Sequence, residues 1–241
     1  LLVELRYHRM GGNSGRAPLV CANMTRTANS RVAGVTFLAY TAATIAGMVL
    51  FGQATGGDNV TARLASIAEH PTEMGFVVVL TFVQCFSALA LAVTLHAITR
   101  AQDETLALFG LVCRVGEGLL SGVSISQLLA LGRLAAGGAA DGALGAHLLR
   151  NSVIVPATFF AVGSLVFSWL MLRGRVIPAP LAWLGVAASA LLAACLPFAA
   201  AGFLRGALTD WMWAPMFAFE IPLAVWLIAK GAAEPRGVRP L

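Results

Sequence analysis

The chain has 241 residues, 59% of them hydrophobic and 11% charged, with a mean hydropathy of +0.82. Soluble domains carry about 25% charged residues, so this composition excludes a water-soluble globule. The formal charge of +5 sits at the ends of apolar segments and is not gathered on one face, which excludes a nucleic-acid-binding surface.

The first thirty residues differ from the rest. Leu1–Ser30 mixes Arg, Gly, Asn and Pro without periodicity, and the chain opens on Leu1, not on Met. Met24, followed by Thr25-Arg26-Thr27, makes a better start. Residues 1–30 are therefore expected to be a disordered tail, with 1–23 an over-extended start. This stretch has no apolar core of its own, so a cleavable signal peptide is not expected.

Six apolar segments follow, each near the roughly 20 residues that a membrane-spanning helix needs. The first is Val32–Phe51. In the connection Gly52–Glu73, Val60, Leu64 and Ile67 recur at helical spacing behind Asp58 and Asn59, either of which can cap a helix. That pattern predicts a short amphipathic helix on the membrane surface. The second segment is Gly75–Ile98, closed by Arg100, Asp103 and Glu104, and the third is Thr105–Leu131. Gly132–Arg150 is a Gly/Ala-rich connection, read as a flexible loop or a short helix. The fourth segment, Ser152–Leu172, leads through Arg173–Pro180 into the fifth, Leu181–Leu204. The sixth, Trp211–Ala229, stops at Lys230 and Gly231, and 232–241 form a tail. The expected fold is all-α: a polytopic membrane protein, a single bundle of six transmembrane helices over residues 31–231, with an interfacial helix after the first.

Six spans place both termini on one side. That side holds eleven Lys and Arg residues: five before the first span, Arg100, Arg173 and Arg175 in loops, and three after the last span. The other side holds four, Arg63, Arg133, Arg150 and Arg205. Without residues 1–23 the ratio is still eight to four. The positive-inside rule then puts both termini in the cytoplasm. Every basic residue except Lys230 is Arg, and Ala and Gly abound. This reads as the coding bias of a GC-rich bacterium, and hence as a protein of the inner membrane.

Charge inside the spans is confined to Arg114, Glu117 and Glu220. A charge at the bilayer centre costs roughly 2.5–3.5 kcal/mol on the lenient insertion scale. At 1.5 Å per residue, Arg114 and Glu220 each lie about 14 Å from opposite faces, close to the midplane. Gln84, Tyr40, Thr41 and Thr44 reach a similar level. Gly110, Arg114, Glu117, Ser121 and Ser124 form one stripe on the third span. Arg114 and Glu117 are i, i+3 neighbours and can touch. Gly118 and Gly122 beside that stripe allow close approach of another helix or of a second chain. Pro222 follows Glu220 and removes a helical hydrogen bond to the carbonyl of Ala218.

Two readings of this layer stand side by side. It is a structural ion network, since buried charges persist when paired. Alternatively Arg114, Glu117, Glu220, Gln84, Ser121 and Tyr40 form a site for a small ligand, a proton or another ion, as intramembrane ionisable groups do by default. One Arg facing two Glu leaves an odd charge that a proton could remove.

The other candidate chemistries are weaker. His96 is an interfacial residue, and His70 and His147 lie in loops without ligand spacing. Cys21, Cys85, Cys113 and Cys195 are scattered, with no metal spacing or disulfide framework. Asn59-Val-Thr61 fits a glycosylation sequon, which is noise in a bacterial chain. No nucleotide loop, dinucleotide fingerprint, zinc-protease helix or nucleophile elbow occurs. No cofactor or metal is expected.

Four motifs carry a family resemblance: Arg31-Val-Ala-Gly34, Arg114-Val-Gly-Glu117, Gly174-Arg-Val-Ile-Pro178 with Leu181-Ala-Trp-Leu-Gly185, and Phe219-Glu220-Ile with Trp226-Leu-Ile-Ala-Lys-Gly231. Together they resemble domain-of-unknown-function family 4386, uncharacterised bacterial multi-pass membrane proteins, from about Arg31 to Gly231. The resemblance implies a six-helix membrane domain and no activity.

The leading functional expectation is a non-enzymatic membrane protein with an interior polar site, acting as a transporter or sensor. Three spans on either side of the central connection allow inverted repeats, as in many transporters, although the halves show no convincing identity. The alternatives are a partner subunit packing through Gly118 and Gly122, and a lipid-modifying membrane enzyme.

Overall fold

A computed structural model describes residues 26–137, 142–149, 154–204, 206, 209 and 211–233. Their regular structure is helical: α1 (Arg26–Ala54), α2 (Val60–Glu69), α3 (Pro71–Thr99), α4 (Glu104–Ala136), α5 (Gly142–Leu149), α6 (Ile154–Arg173), α7 (Ala179–Ala200) and α8 (Ala214–Ala229).

Five stretches are long and apolar enough to cross a membrane: α1, α3, α4, α7 and the segment Gly142–Arg173 that ends in α6. The sixth, α8, is apolar but has only 16 residues, about 24 Å of helix. Their surfaces are inverted relative to a soluble bundle. Met48 is 66% exposed, Phe86 65% and Leu119 63%, while Arg114, Glu117 and Glu220 are buried. Apolar side chains turned outward suit hydrocarbon, and charges turned inward avoid it. The chain is an integral, multi-pass membrane protein.

The helices run longer than the apolar segments that mark them. α4 has 33 residues, about 50 Å, and α1 and α3 have 29 each, about 44 Å. These exceed a hydrocarbon core of about 30 Å, a length that tilting or protruding ends accommodate. α1 begins at Arg26, so the last five residues of the expected tail are helical. Residues 1–25 and 234–241, most of the two expected tails, lie outside the described residues.

Packing follows chain order around a ring. α1 touches α3, α3 touches α4, α4 touches α6, α6 touches α7, α7 touches α8, and α8 returns to α1. Closure needs the α1 and α8 backbones close together. Gly34 permits this: a Cβ there would meet Ala224 O and Ile228 Cγ1, each at 2.7 Å. Beyond the helices, Ala232 N–H donates to Ser30 Oγ at 3.0 Å, and Ala233 N–H to Val176 O at 3.0 Å. The start of α1, the α6–α7 turn and the end of α8 thus share one side of the bundle.

On the other side α2 and α5 form a cap. Asn59 accepts from the Ala62 amide at 2.9 Å and starts α2, as the spacing suggested. Leu64 and Ile67 enter an apolar cluster with Ala54, Met74, Leu128 and Leu131. α5 lies in the Gly/Ala-rich connection, and its Gly145 rests on Leu64 and Val60.

The α6–α7 turn contains one backbone outlier. Arg175 N–H bonds Leu172 O at 3.1 Å and Val176 N–H bonds Met171 O at 2.9 Å. These two bonds define a helix C-terminal motif whose left-handed residue is usually glycine. Here it is Arg175, at φ 49. A left-handed conformation costs a non-glycine residue roughly 1–2 kcal/mol.

Candidate functional site

The polar residues picked out by depth meet inside the ring. Arg114 and Glu117 project from one face of α4, one turn apart. Arg114 Nη1 lies 2.8 Å from Glu117 Oε2. The contact is an ion pair by distance but lacks the alignment of a hydrogen bond. Two adjacent residues of α1 serve the two acids. Tyr40 OH donates to Glu117 Oε1 at 2.6 Å, and Thr41 Oγ1 donates to Glu220 Oε2 at 3.2 Å. α1 is therefore the bridge between the acid of α4 and the acid of α8.

The rest of the Arg114 environment is aromatic and aliphatic. Its Cζ lies 5.4 Å from the Tyr40 ring centre and 4.9 Å from that of Phe160. The two rings are nearly parallel, 10° apart in plane, with centres 6.2 Å apart. The guanidinium thus caps an aromatic pair, an arrangement worth roughly 0.5–2 kcal/mol per cation–ring contact. Its stem lies on α6 at Gly163, where a Cβ would stand 3.1 Å from Cγ and 3.2 Å from Cδ. Beside Glu220, the Phe219 ring sits over Gly185 of α7, where a Cβ would meet it at 2.5 Å.

Gln84 and Ser121 stand one step removed. Gln84 Nε2 donates to Thr44 Oγ1 at 2.8 Å, and Thr44 donates to the Tyr40 carbonyl at 2.9 Å. Gln84 thus braces the backbone of Tyr40 and, among the described residues, bonds no charged group. Ser121 is half-buried and makes no hydrogen bond among the described residues. It shares Arg114's face but lies two turns away, about 10 Å along the axis. Gly118 is buried against Leu89 and the Cys85 carbonyl of α3, and Cys85 Sγ reaches Gly118 O at 3.0 Å. Gly122, four residues on, has open space around it.

The layer contains polar atoms that have no partner among the described residues. Arg114 is 1% exposed, and there none of Nε, Nη1 and Nη2 has a hydrogen-bond acceptor. Glu220 Oε1 is buried without a donor. No ion pair joins Glu220 to Arg114 among the described residues, although each lies within electrostatic reach of the other. A buried polar group left unmatched costs about 1–3 kcal/mol, more when charged. Among the described residues no three His, Cys, Asp or Glu side chains are placed to hold a metal ion.

Sequence reasoning missed Phe160 and Gly163. Neither differs from its neighbours in a run of apolar residues, and only the contact between α4 and α6 gives them a role.

An all-helical, multi-pass membrane bundle with a buried ionisable layer defines the class. Residues 32–231 match the family described as Domain of unknown function (DUF4386), and the chain belongs to that family. No curated protein and no solved structure matches it.

Proposed function

We propose that the protein is a bacterial inner-membrane transporter or sensor whose interior site binds a small polar ligand or ion. Both termini then face the cytoplasm, as the excess of basic residues on their side indicates. One observation carries the reading: a guanidinium almost wholly removed from solvent, with one ion-pair contact and three nitrogens lacking acceptors. Arg offers five donors in a rigid fork. Glu220 Oε1, also unmatched, supplies an acceptor in the same layer. A ligand with both an acceptor and a donor, or an anion together with a proton on Glu220, completes both groups. Side chains of α1, α4 and α8 meet at this layer, and α1 packs on α8, so occupancy can bias that packing.

A second reading, a structural lock within a membrane complex, draws on a different observation. The Arg114 stem is packed tightly on Gly163, and both carboxylates already hold a hydroxyl donor.

Glu220→Gln separates the two. The purified variant in lipid nanodiscs is compared with wild type by thermal unfolding, by proton flux after reconstitution into liposomes, and by melting-temperature shifts with phosphate, small carboxylates, amino acids and ammonium ions. The binding reading expects an unfolding temperature within a few degrees of wild type and an altered ligand or proton response. Loss of stable expression, or an unchanged response to every probe, supports the lock.

A further inference from the structure

A second feature lies at the other end of the helices, away from the ionisable layer. A groove of about 330 Å³ opens between the α6–α7 turn and the end of α8, lined by Arg175, Val176, Pro178, Trp226, Lys230 and Ala233. Arg175 and Lys230 are exposed, and neither pairs with a carboxylate among the described residues. Nearby Arg173, by contrast, lies 3.9 Å from Asp103. The groove runs up to Pro178, ahead of the first turn of α7; Pro178 and Pro180 carry no N–H, so the positive character of the groove comes from its two cations. Trp226, half-buried on the groove wall, has the amphipathic ring that settles at headgroup level.

The backbone gives an independent sign. Both helices that border the groove end on a left-handed residue. At the end of α8 it is Gly231, φ 72, which bears no strain. At the end of α6 it is Arg175, φ 49, although a glycine stands one position earlier at 174. Backbone strain at non-glycine residues clusters at ligand and switch sites. Here the strained residue is also one of the two cations of the groove that have no carboxylate partner among the described residues.

We propose that Arg175 and Lys230 bind the phosphate group of an anionic phospholipid headgroup, with Trp226 lying against its glycerol region. The basic side of the bundle carries the groove, and anionic lipids of the cytoplasmic leaflet attract such residues. A bridging phosphate also ties the α6–α7 turn to the end of α8.

The test uses the full chain in detergent micelles. Dioleoylphosphatidylglycerol and dioleoylphosphatidylcholine are titrated separately while native mass spectrometry counts retained lipids and a melting curve is recorded. The anionic lipid is expected to be retained in preference and to raise the unfolding temperature. Arg175→Gly removes the charge and the strain together. In phosphatidylcholine it should melt no earlier than wild type, yet its affinity for phosphatidylglycerol should fall about fivefold. Lys230→Gln should cost a similar factor, and the double variant should lose the preference. Glycerol 1-phosphate in phosphatidylcholine micelles forms the third arm. If it reproduces the Arg175-dependent stabilisation, the same phosphate site draws its ligand from solution. Equal retention of the two lipids by wild type, or a preference that survives in the double variant, overturns the proposal.

Discussion

The cap of α2 and α5 and the ionisable layer in the middle of the ring treat their polar groups in opposite ways. In the cap, Asn59 closes the start of α2 and Arg63 Nε donates to the Thr55 carbonyl at 2.9 Å. An apolar cluster lies beneath. Each polar device there has a local partner within eight residues. In the middle layer, charges from α4 and α8 are gathered by α1 across 77 and 179 residues, and several of their polar atoms stay unmatched. The cap is what ordinary folding chemistry produces at a water interface. The layer holds charged groups whose atoms lack partners among the described residues, where lipid makes that most costly, and the proposed binding function rests on this difference.

Substitutions sharpen that contrast, and the layer should respond most. Arg114→Ala strands Glu117 in a low-dielectric interior. Removing one partner of a buried ion pair costs about 3–5 kcal/mol, so the unfolding temperature in nanodiscs should fall by many degrees or the protein should fail to accumulate. Tyr40→Phe deletes the hydroxyl that donates to Glu117 and keeps the ring beside Arg114. A hydrogen bond to a charged group contributes about 1.5–3 kcal/mol, so a clear but smaller drop is expected in the same assay. Asn59→Ala removes only the α2 cap, at about 1 kcal/mol. Hydrogen exchange should rise in the first turn of α2, while any response assigned to Glu220 stays at the wild-type level. A cap variant that disturbed the Glu220 response, or an Arg114 variant as stable as wild type, would erase the distinction.

Much of this was legible because hydrophobic length and helical rise are strong signals. The spans follow from uninterrupted apolar runs, and counting residues from the interface set Tyr40, Thr41, Arg114 and Glu220 at one depth. The Arg114–Glu117 contact follows from i, i+3 spacing alone. Depth does not give azimuth, however. Gln84 has the right level yet faces Thr44, and Ser121 has the right face at the wrong level. Phe160 and Gly163 become partners of Arg114 only because α6 packs on α4, a tertiary choice with no mark in an apolar run. For α5 the sequence left loop and short helix open, because a Gly/Ala-rich stretch carries almost no periodicity; Gly145 of the helix rests on Val60 and Leu64 of α2. The left-handed Arg175 could not be foreseen either, since Gly174 is the residue that composition nominates.

The central claim is that the unmatched atoms of the middle layer belong to a binding site. A map of the protein in lipid nanodiscs, at a resolution that shows ordered water, tests it most directly. The account predicts density of ligand or water size within about 2.7–3.2 Å of Arg114 Nε or Nη2 and of Glu220 Oε1. A dry layer, in which Arg114 and Glu220 have rearranged to satisfy each other with no density between them, would contradict it.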